Sequence, residues 1–130
     1  MTLEEISKEM KSIDFTMLST RTDNDAISSR PMSNNGDVEY DGDSWFFAKT
    51  GHRAVSDIRA NPKVGLTLQG SKGLLGAPPI FISVEGKAEL IKDKAQFKAH
   101  WTPDIERWAD QGIDTPDLVL LKVHAERIHY

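Results

Sequence analysis

The 130-residue chain has no cysteine. That absence removes disulfides, thiol redox chemistry, Cys-ligated zinc, iron–sulfur clusters and a cysteine nucleophile together. Long apolar runs are missing too: nothing approaches the roughly 20 residues that span a bilayer. The acidic start Met1-Thr2-Leu3-Glu4-Glu5 is not a signal peptide, so the expectation is a cytoplasmic protein with no membrane partner. Positive charge is in short supply, with 16 Lys and Arg against 20 Asp and Glu and a net charge of −4. Non-specific binding to nucleic acid is mostly phosphate neutralisation, so no nucleic-acid partner is expected. Catalytic signatures are also lacking: no G-x-S-x-G, Walker A or G-x-G-x-x-G occurs, and Gly70, Gly73 and Gly76 have the wrong spacing for a dinucleotide fingerprint. The four histidines, His52, His100, His124 and His129, form no HxxxH or HExxH pair, so no metal site is expected.

What remains is an ordinary globular composition, 38% hydrophobic and 28% charged, which excludes a disordered or collagen-like chain. Domains most often run about 100–150 residues, so residues 1–130 read as a single domain. Thr2-Leu3-Glu4-Glu5 is a capping box, followed by Leu3, Ile6, Met10 and Ile13 at near-helical spacing. Strands are predicted over Phe15–Thr20, Ala26–Met32 (with an irregular or edge portion, because it carries Pro31), Trp45–Ala48, Val64–Leu68, Ile80–Ile91 and Leu118–Tyr130. Asn34-Asn35-Gly36 and Asp41-Gly42-Asp43 are turn signals. Thr50–Ala60 is a predicted short helix with Thr50 as N-cap, and Asp93 caps another running through Trp101. Thr102-Pro103 starts a further turn with proline at its tolerated first position, and Gly112–Pro116 reads as loop. Short strands joined by hairpins, with few helices, indicate an α+β fold: a mainly antiparallel, six-stranded barrel with peripheral helices.

The chemically informative stretch is Ala48-Lys49-Thr50-Gly51-His52-Arg53, which joins an apolar strand to a helix. Free amides and the positive dipole end make a helix start an anion site, yet Lys49, His52 and Arg53 crowd that turn, where the dipole disfavours cations. A bound phosphate resolves the conflict. The plainer account is that exposed cations there cost only about a few tenths of a kcal/mol and need no ligand. In Ser28-Ser29-Arg30-Pro31-Met32 the proline removes a ladder donor, leaving backbone groups to face a ligand; the alternative is an edge-strand arginine paired with a surface acid. Trp45, Phe46 and Phe47 read as core, and Trp101 and Trp108 as core or interface anchors.

Several motifs in order carry a resemblance. Ser29-Arg30-Pro31-Met32, Trp45-Phe46-Phe47-Ala48-Lys49, Arg53 with Ile58-Arg59-Ala60-Asn61-Pro62-Lys63-Val64, Phe81–Ala88, Trp101-Thr102-Pro103 and Thr115–Leu121 together resemble the pyridoxamine 5′-phosphate oxidase-like flavoproteins, in particular the general stress protein 26 group. The resemblance spans nearly the whole chain. It implies a six-stranded split β-barrel that forms a homodimer and binds FMN, with FAD the alternative, in clefts at the subunit interface. It further implies that Ser29, Arg30, Pro31 and Met32 lie along the ring and ribityl part, and Phe47 and Ala48 beside the flavin. Lys49, Thr50 and Arg53 would hold the phosphate, His52 would also bind the cofactor, and Trp101 would approach from the partner subunit. Two departures stand out. Ala54 replaces a lysine common among relatives, which leaves Arg53 more of the phosphate charge. The chain also ends at Tyr130 without the Arg-x-His segment that vitamin B6 oxidases use for substrate, so true pyridoxamine-phosphate oxidase activity is not expected. The resulting expectation is an FMN-binding redox protein with NAD(P)H as a candidate reductant and no identified catalytic residue. The alternatives are a flavin-sequestering stress protein without turnover and a structural dimer with a vestigial pocket.

Overall fold

The computed structural model describes residues 2–34, 40–70 and 78–130. Helix α1 (Leu3–Met10) starts where the Thr2 hydroxyl accepts the Glu5 amide at 3.2 Å, and it buries Ile6, Ser7 and Met10. Six strands follow: β1 (Phe15–Arg21), β2 (Ile27–Ser33), β3 (Asp43–Lys49), β4 (Lys63–Gln69), β5 (Phe81–Ile91) and β6 (Leu118–His129), with α2 (Arg53–Ala60) between β3 and β4 and α3 (Lys94–Ala99) between β5 and β6. All pairings are antiparallel in the order β2-β1-β4-β5-β6-β3. The sheet curls into a half-barrel, the α+β split-barrel type expected, and β2 and β3 are its two edges.

Alternation explains which face of each strand is buried. Leu18, Phe46, Ala48, Val64, Leu66, Leu68, Ile82 and Val84 turn inward and form the main core with α1 and α2. A second core lies on the other face of β3 and β6, where Phe97, Ile105, Ala109, Leu118 and Leu120 pack with Trp45, Phe47, Trp101 and Trp108. The first residues of β6 are buried on both faces, which is why Leu118-Val119-Leu120-Leu121 shows no polar alternation. At the β5–β6 bulge Gly86 presses so closely on the His124 carbonyl oxygen that a Cβ would overlap it.

Three local expectations are corrected. Helix α2 begins at Arg53, with His52 as its N-cap and no side-chain capping bond. Thr50 is held elsewhere: its amide donates to the Asp117 carbonyl at 2.8 Å, and Lys49 and His52 close a turn before the helix starts. Helix α3, capped by Asp93, ends at Ala99 rather than Trp101. Thr102 precedes a proline and is extended, so a separate 3-10 helix, Pro103–Arg107, starts there. Within Gly112–Pro116 a single 3-10 turn forms over Gly112–Asp114. The turn expected at Asn34-Asn35-Gly36 lies outside the described residues apart from Asn34, whose side-chain amide donates to Met10 and Ile13 carbonyls. Most of the Gly70–Pro79 loop lies outside them as well. Among the described residues no helix is long and apolar enough to cross a membrane, and no three or more His, Asp or Glu side chains gather as a metal site.

Candidate functional site

The two free sheet edges do not meet, and the gap between them is a cleft of about 710 Å³. Arg30, Pro31, Met32 and Ser33 of β2 line one side, and Asp43 to Phe47 of β3 the other. Thr16, Leu66 and Leu68 come up from the inner sheet face, and Trp101, Pro103, Asp104 and Trp108 close over from the segment after α3.

The two ends of the cleft differ in charge. At the α2 end stand His52 and Arg30, with Arg53 near enough to act electrostatically on Arg30. The Arg30 guanidinium donates to Thr20 Oγ1 at 2.8 Å and to the Leu18 carbonyl at 3.3 Å, and it lies 3.8 Å from the buried Asp57 carboxylate. Burial pulls its pKa below the ordinary value; Asp57 opposes that shift and Arg53 adds to it. At the far end are Asp43 and Asp104, and Lys11 also stands on the lining there. The Thr102 hydroxyl, donating at 2.5 Å, holds the Asp104 carboxyl below its usual range against partial burial, helped by Ser33 and Arg107. Asp43 is paired with His124 at 2.7 Å and faces Lys122 at 3.9 Å.

The middle is aromatic. Trp45 stacks on His100 with ring centres 3.7 Å apart, and burial lowers the His100 pKa, with Asp41 opposing and Lys122 reinforcing. Phe47 meets Phe97 at 5.8 Å and Trp101 at 5.4 Å, both edge to face. Burial chiefly, then Asp43 and Asp41, pushes the Tyr40 phenol up to about 12. Ser44 lies close enough to oppose that rise, yet among the described residues no hydrogen bond of good geometry reaches the phenol oxygen. Thr16, 1% exposed, likewise has a hydroxyl with no partner among the described residues. A buried polar atom left unpaired costs about 1–3 kcal/mol, so a cleft lined by such groups favours a ligand with hydrogen-bonding atoms of its own.

Of the residues singled out from sequence, the structure brings Arg30, Pro31, Met32, Phe47, His52 and Trp101 to the cleft wall. It sets others apart. Ser29 is exposed on the outer sheet face, hydrogen-bonded to Ser19 at 2.7 Å, and Ala48 is sealed in the main core. Lys49 leans toward Trp108, 5.9 Å from the ring centre. Thr50 sits in the turn before α2, and Arg53 is exposed on the first turn of that helix. Trp101 packs on Phe47 of its own chain. Four residues escaped the sequence reading: Thr16, Thr20, Tyr40 and Asp57. The strand pattern held a signal for two of them, since Thr16, Leu18 and Thr20 share one buried face. Asp57 is the acid on the otherwise apolar buried side of α2, beside Val55 and Ile58.

The arrangement suits a long, flat ligand: an anionic end at the cationic α2 start, and an apolar, hydrogen-bonding body between the sheet edges. Comparison with known proteins gives a consistent result. The model of the family described as "Pyridoxamine 5'-phosphate oxidase like" matches residues 2–130. General stress protein 26 from Bacillus anthracis is 25% identical with a TM-score of 0.79, covering 98% of this chain and 92% of that one. A protein related to general stress protein 26 from Clostridium acetobutylicum is 25% identical with a TM-score of 0.77, covering 97% and 84%. A FAD-binding protein from Mesorhizobium loti shares the fold at 19% identity and a TM-score of 0.76, covering 98% and 92%. No curated protein matches the chain.

Proposed function

The chain belongs to the pyridoxamine 5′-phosphate oxidase-like family, and from that membership we propose that it binds FMN in the cleft between β2 and β3 and acts as a redox protein of the general stress protein type. The observation that carries the reading is the polarity of that cleft: cations at the α2 end, and along its body aromatic groups and hydroxyls that have no partner among the described residues. A bound flavin would supply the electron-transfer chemistry itself. The protein's own residues do the binding: Arg53, His52 and Arg30 would take the phosphate and its neighbourhood, and Met32 and Phe47 the ring. Thr16 would offer a hydroxyl to a ring heteroatom. The Mesorhizobium loti protein that shares this fold binds FAD, so FAD is the competing ligand.

The reading includes a homodimer in which Trp101 approaches the partner's flavin. The outer sheet face supports pairing, because Phe15, Met17 and Phe81 are exposed there at 63%, 38% and 58%.

The test is titration of the purified protein with FMN, FAD and riboflavin, followed by anaerobic addition of NADH or NADPH. FMN binding tightest of the three, with bleaching of its absorbance by a nicotinamide, is the expected result. Tight binding without reduction by either nucleotide would instead favour a sequestering role, and no flavin binding would refute the proposal. Pyridoxamine 5′-phosphate is expected not to reduce the bound flavin.

A further inference from the structure

We infer that Thr20 is a positioning residue for Arg30, anchored in that role by the buried Asp57 carboxylate. The inference rests on the flavin reading of the cleft and names what sets the strength of its Arg30 wall. Thr20 Oγ1 lies 2.8 Å from an Arg30 guanidinium nitrogen and 2.8 Å from Asp57 Oδ2. Arginine has only donors and an ionised carboxylate only acceptors, whereas a hydroxyl has one hydrogen and two lone pairs. The order is therefore forced: the guanidinium donates to the hydroxyl, and the hydroxyl donates to the carboxylate. Rotating the Thr20 side chain breaks both bonds. Water cannot replace them, since Thr20 is 1% and Asp57 6% exposed.

The relay joins three elements, β1, β2 and α2. Arg30 sits on an edge strand, where a long side chain ordinarily samples many rotamers that a ligand must freeze. Here one terminal nitrogen is spent on Thr20 and on the Leu18 carbonyl. The guanidinium has five N–H donors in a fixed fork, so donors remain to face the cleft that Arg30 lines. Asp57 lies 3.8 Å from the second terminal nitrogen, beyond a hydrogen bond, and attracts it along the same direction. Thr20 does not line the cleft itself, so its effect on a ligand must pass through Arg30.

Thr20→Val removes the hydroxyl at nearly constant volume, and Thr20→Ser keeps it. In flavin-fluorescence titrations of the full chain, Thr20→Val is expected to weaken FMN about 5- to 30-fold, the scale of losing one charged hydrogen bond and the pre-set side chain. Thr20→Ser should stay within about twofold of wild type, and in an Arg30→Ala background Thr20→Val should cost nothing further. Equal losses in both backgrounds, or a Thr20→Ser protein that melts like wild type but binds as poorly as Thr20→Val, would overturn the assignment. A wild type that binds no flavin would fail the function reading and take this one with it. A wild type that binds FMN with an affinity Arg30→Ala does not change would fail this assignment alone. If Thr20→Val does not fold, side-chain NMR of the flavin-free wild type decides: the Arg30 Nε–H should be ordered like the backbone, with an order parameter of about 0.85, and a freely averaged signal refutes the relay.

Discussion

The Lys49 ammonium lies 5.9 Å from the centre of the Trp108 ring, on the face of β3 that packs against the second core. Lys49 and Arg53 are close in sequence, but this contact engages the lysine away from the start of α2. Their contributions to anion binding should differ accordingly. Arg53→Ala is expected to weaken FMN about 10- to 100-fold, the equivalent of one charge-assisted hydrogen bond of roughly 1.5–3 kcal/mol. Lys49→Ala should weaken it less than about threefold while costing about 0.5–1 kcal/mol of stability from the lost cation–π contact. Riboflavin, which has the ring and no phosphate, is the control, and Arg53→Ala should leave its binding unchanged. An equal loss for both ligands would make Arg53 a ring contact or a folding residue.

The bulge between β5 and β6 gives a prediction about stability alone. Any Cβ at position 86 meets a backbone oxygen, that of His124, which no side-chain rotation can move. Gly86→Ala should therefore destabilise the fold by about 1–3 kcal/mol, the usual cost of forced overpacking. Thermal unfolding followed by circular dichroism should show a midpoint several degrees lower. Gly51→Ala, where the added methyl meets nothing within 4 Å, should melt close to wild type.

The Trp45–His100 stack should be visible in a pH titration. Burial lowers the His100 pKa from 6.5 in the folded chain, so between the folded and unfolded values the unfolded state binds more protons. The sign follows: stability contributed by neutral His100 is intact above pH about 6.5, falls as the solution is acidified below it, and levels off beneath the folded pKa. His100→Phe should melt at more nearly the same temperature at pH 7.5 and pH 5.5 than wild type does. Protonation against the indole should also quench Trp45 fluorescence, with a midpoint below 6.5 that disappears in Trp45→Phe. A midpoint above 6.5 would contradict the stacked, partly buried placement.

Pairing of two copies is open to direct test. Sedimentation of the flavin-loaded protein should give a dimer, and Met17→Glu, on the outer face between Pro31 and Thr67, should shift it toward monomer. Removing the aromatic ring in Trp101→Ala should weaken FMN without changing the fold of the half-barrel. A clean monomer with full flavin occupancy would rule out a shared site.

Strands were legible wherever one face is buried, because alternation in FTMLSTR or KVGLTLQ records that face directly. Pro31, which cannot donate to a ladder, marked β2 as irregular or an edge, and the strand order makes it an edge. The start of α2 was not legible, since the bond that holds Thr50 out of the helix comes from Asp117, far along the chain. The site divided in the same way. Residues on one strand appear as a run in sequence, yet Ser29 and Arg30, or Ala48 and Lys49, point to opposite faces by the two-residue period. The Arg30–Thr20–Asp57 relay joins positions separated by 10 and 37 residues, and only the folded sheet brings them together.

The double burial of β6 has a mechanical consequence. Val119 and Leu121 face one core and Leu118 and Leu120 the other, so the half-barrel and the aromatic wall of the cleft share a single keel. Neither can melt alone while that keel holds, and amides of residues 118–121 should exchange with solvent only when the whole chain opens. Trimming the keel on one side, as in Leu120→Ala, would strip support from the layer that carries Trp101 and Trp108 while the barrel interior keeps its packing. The cleft would then be left with a rigid floor and a loose roof.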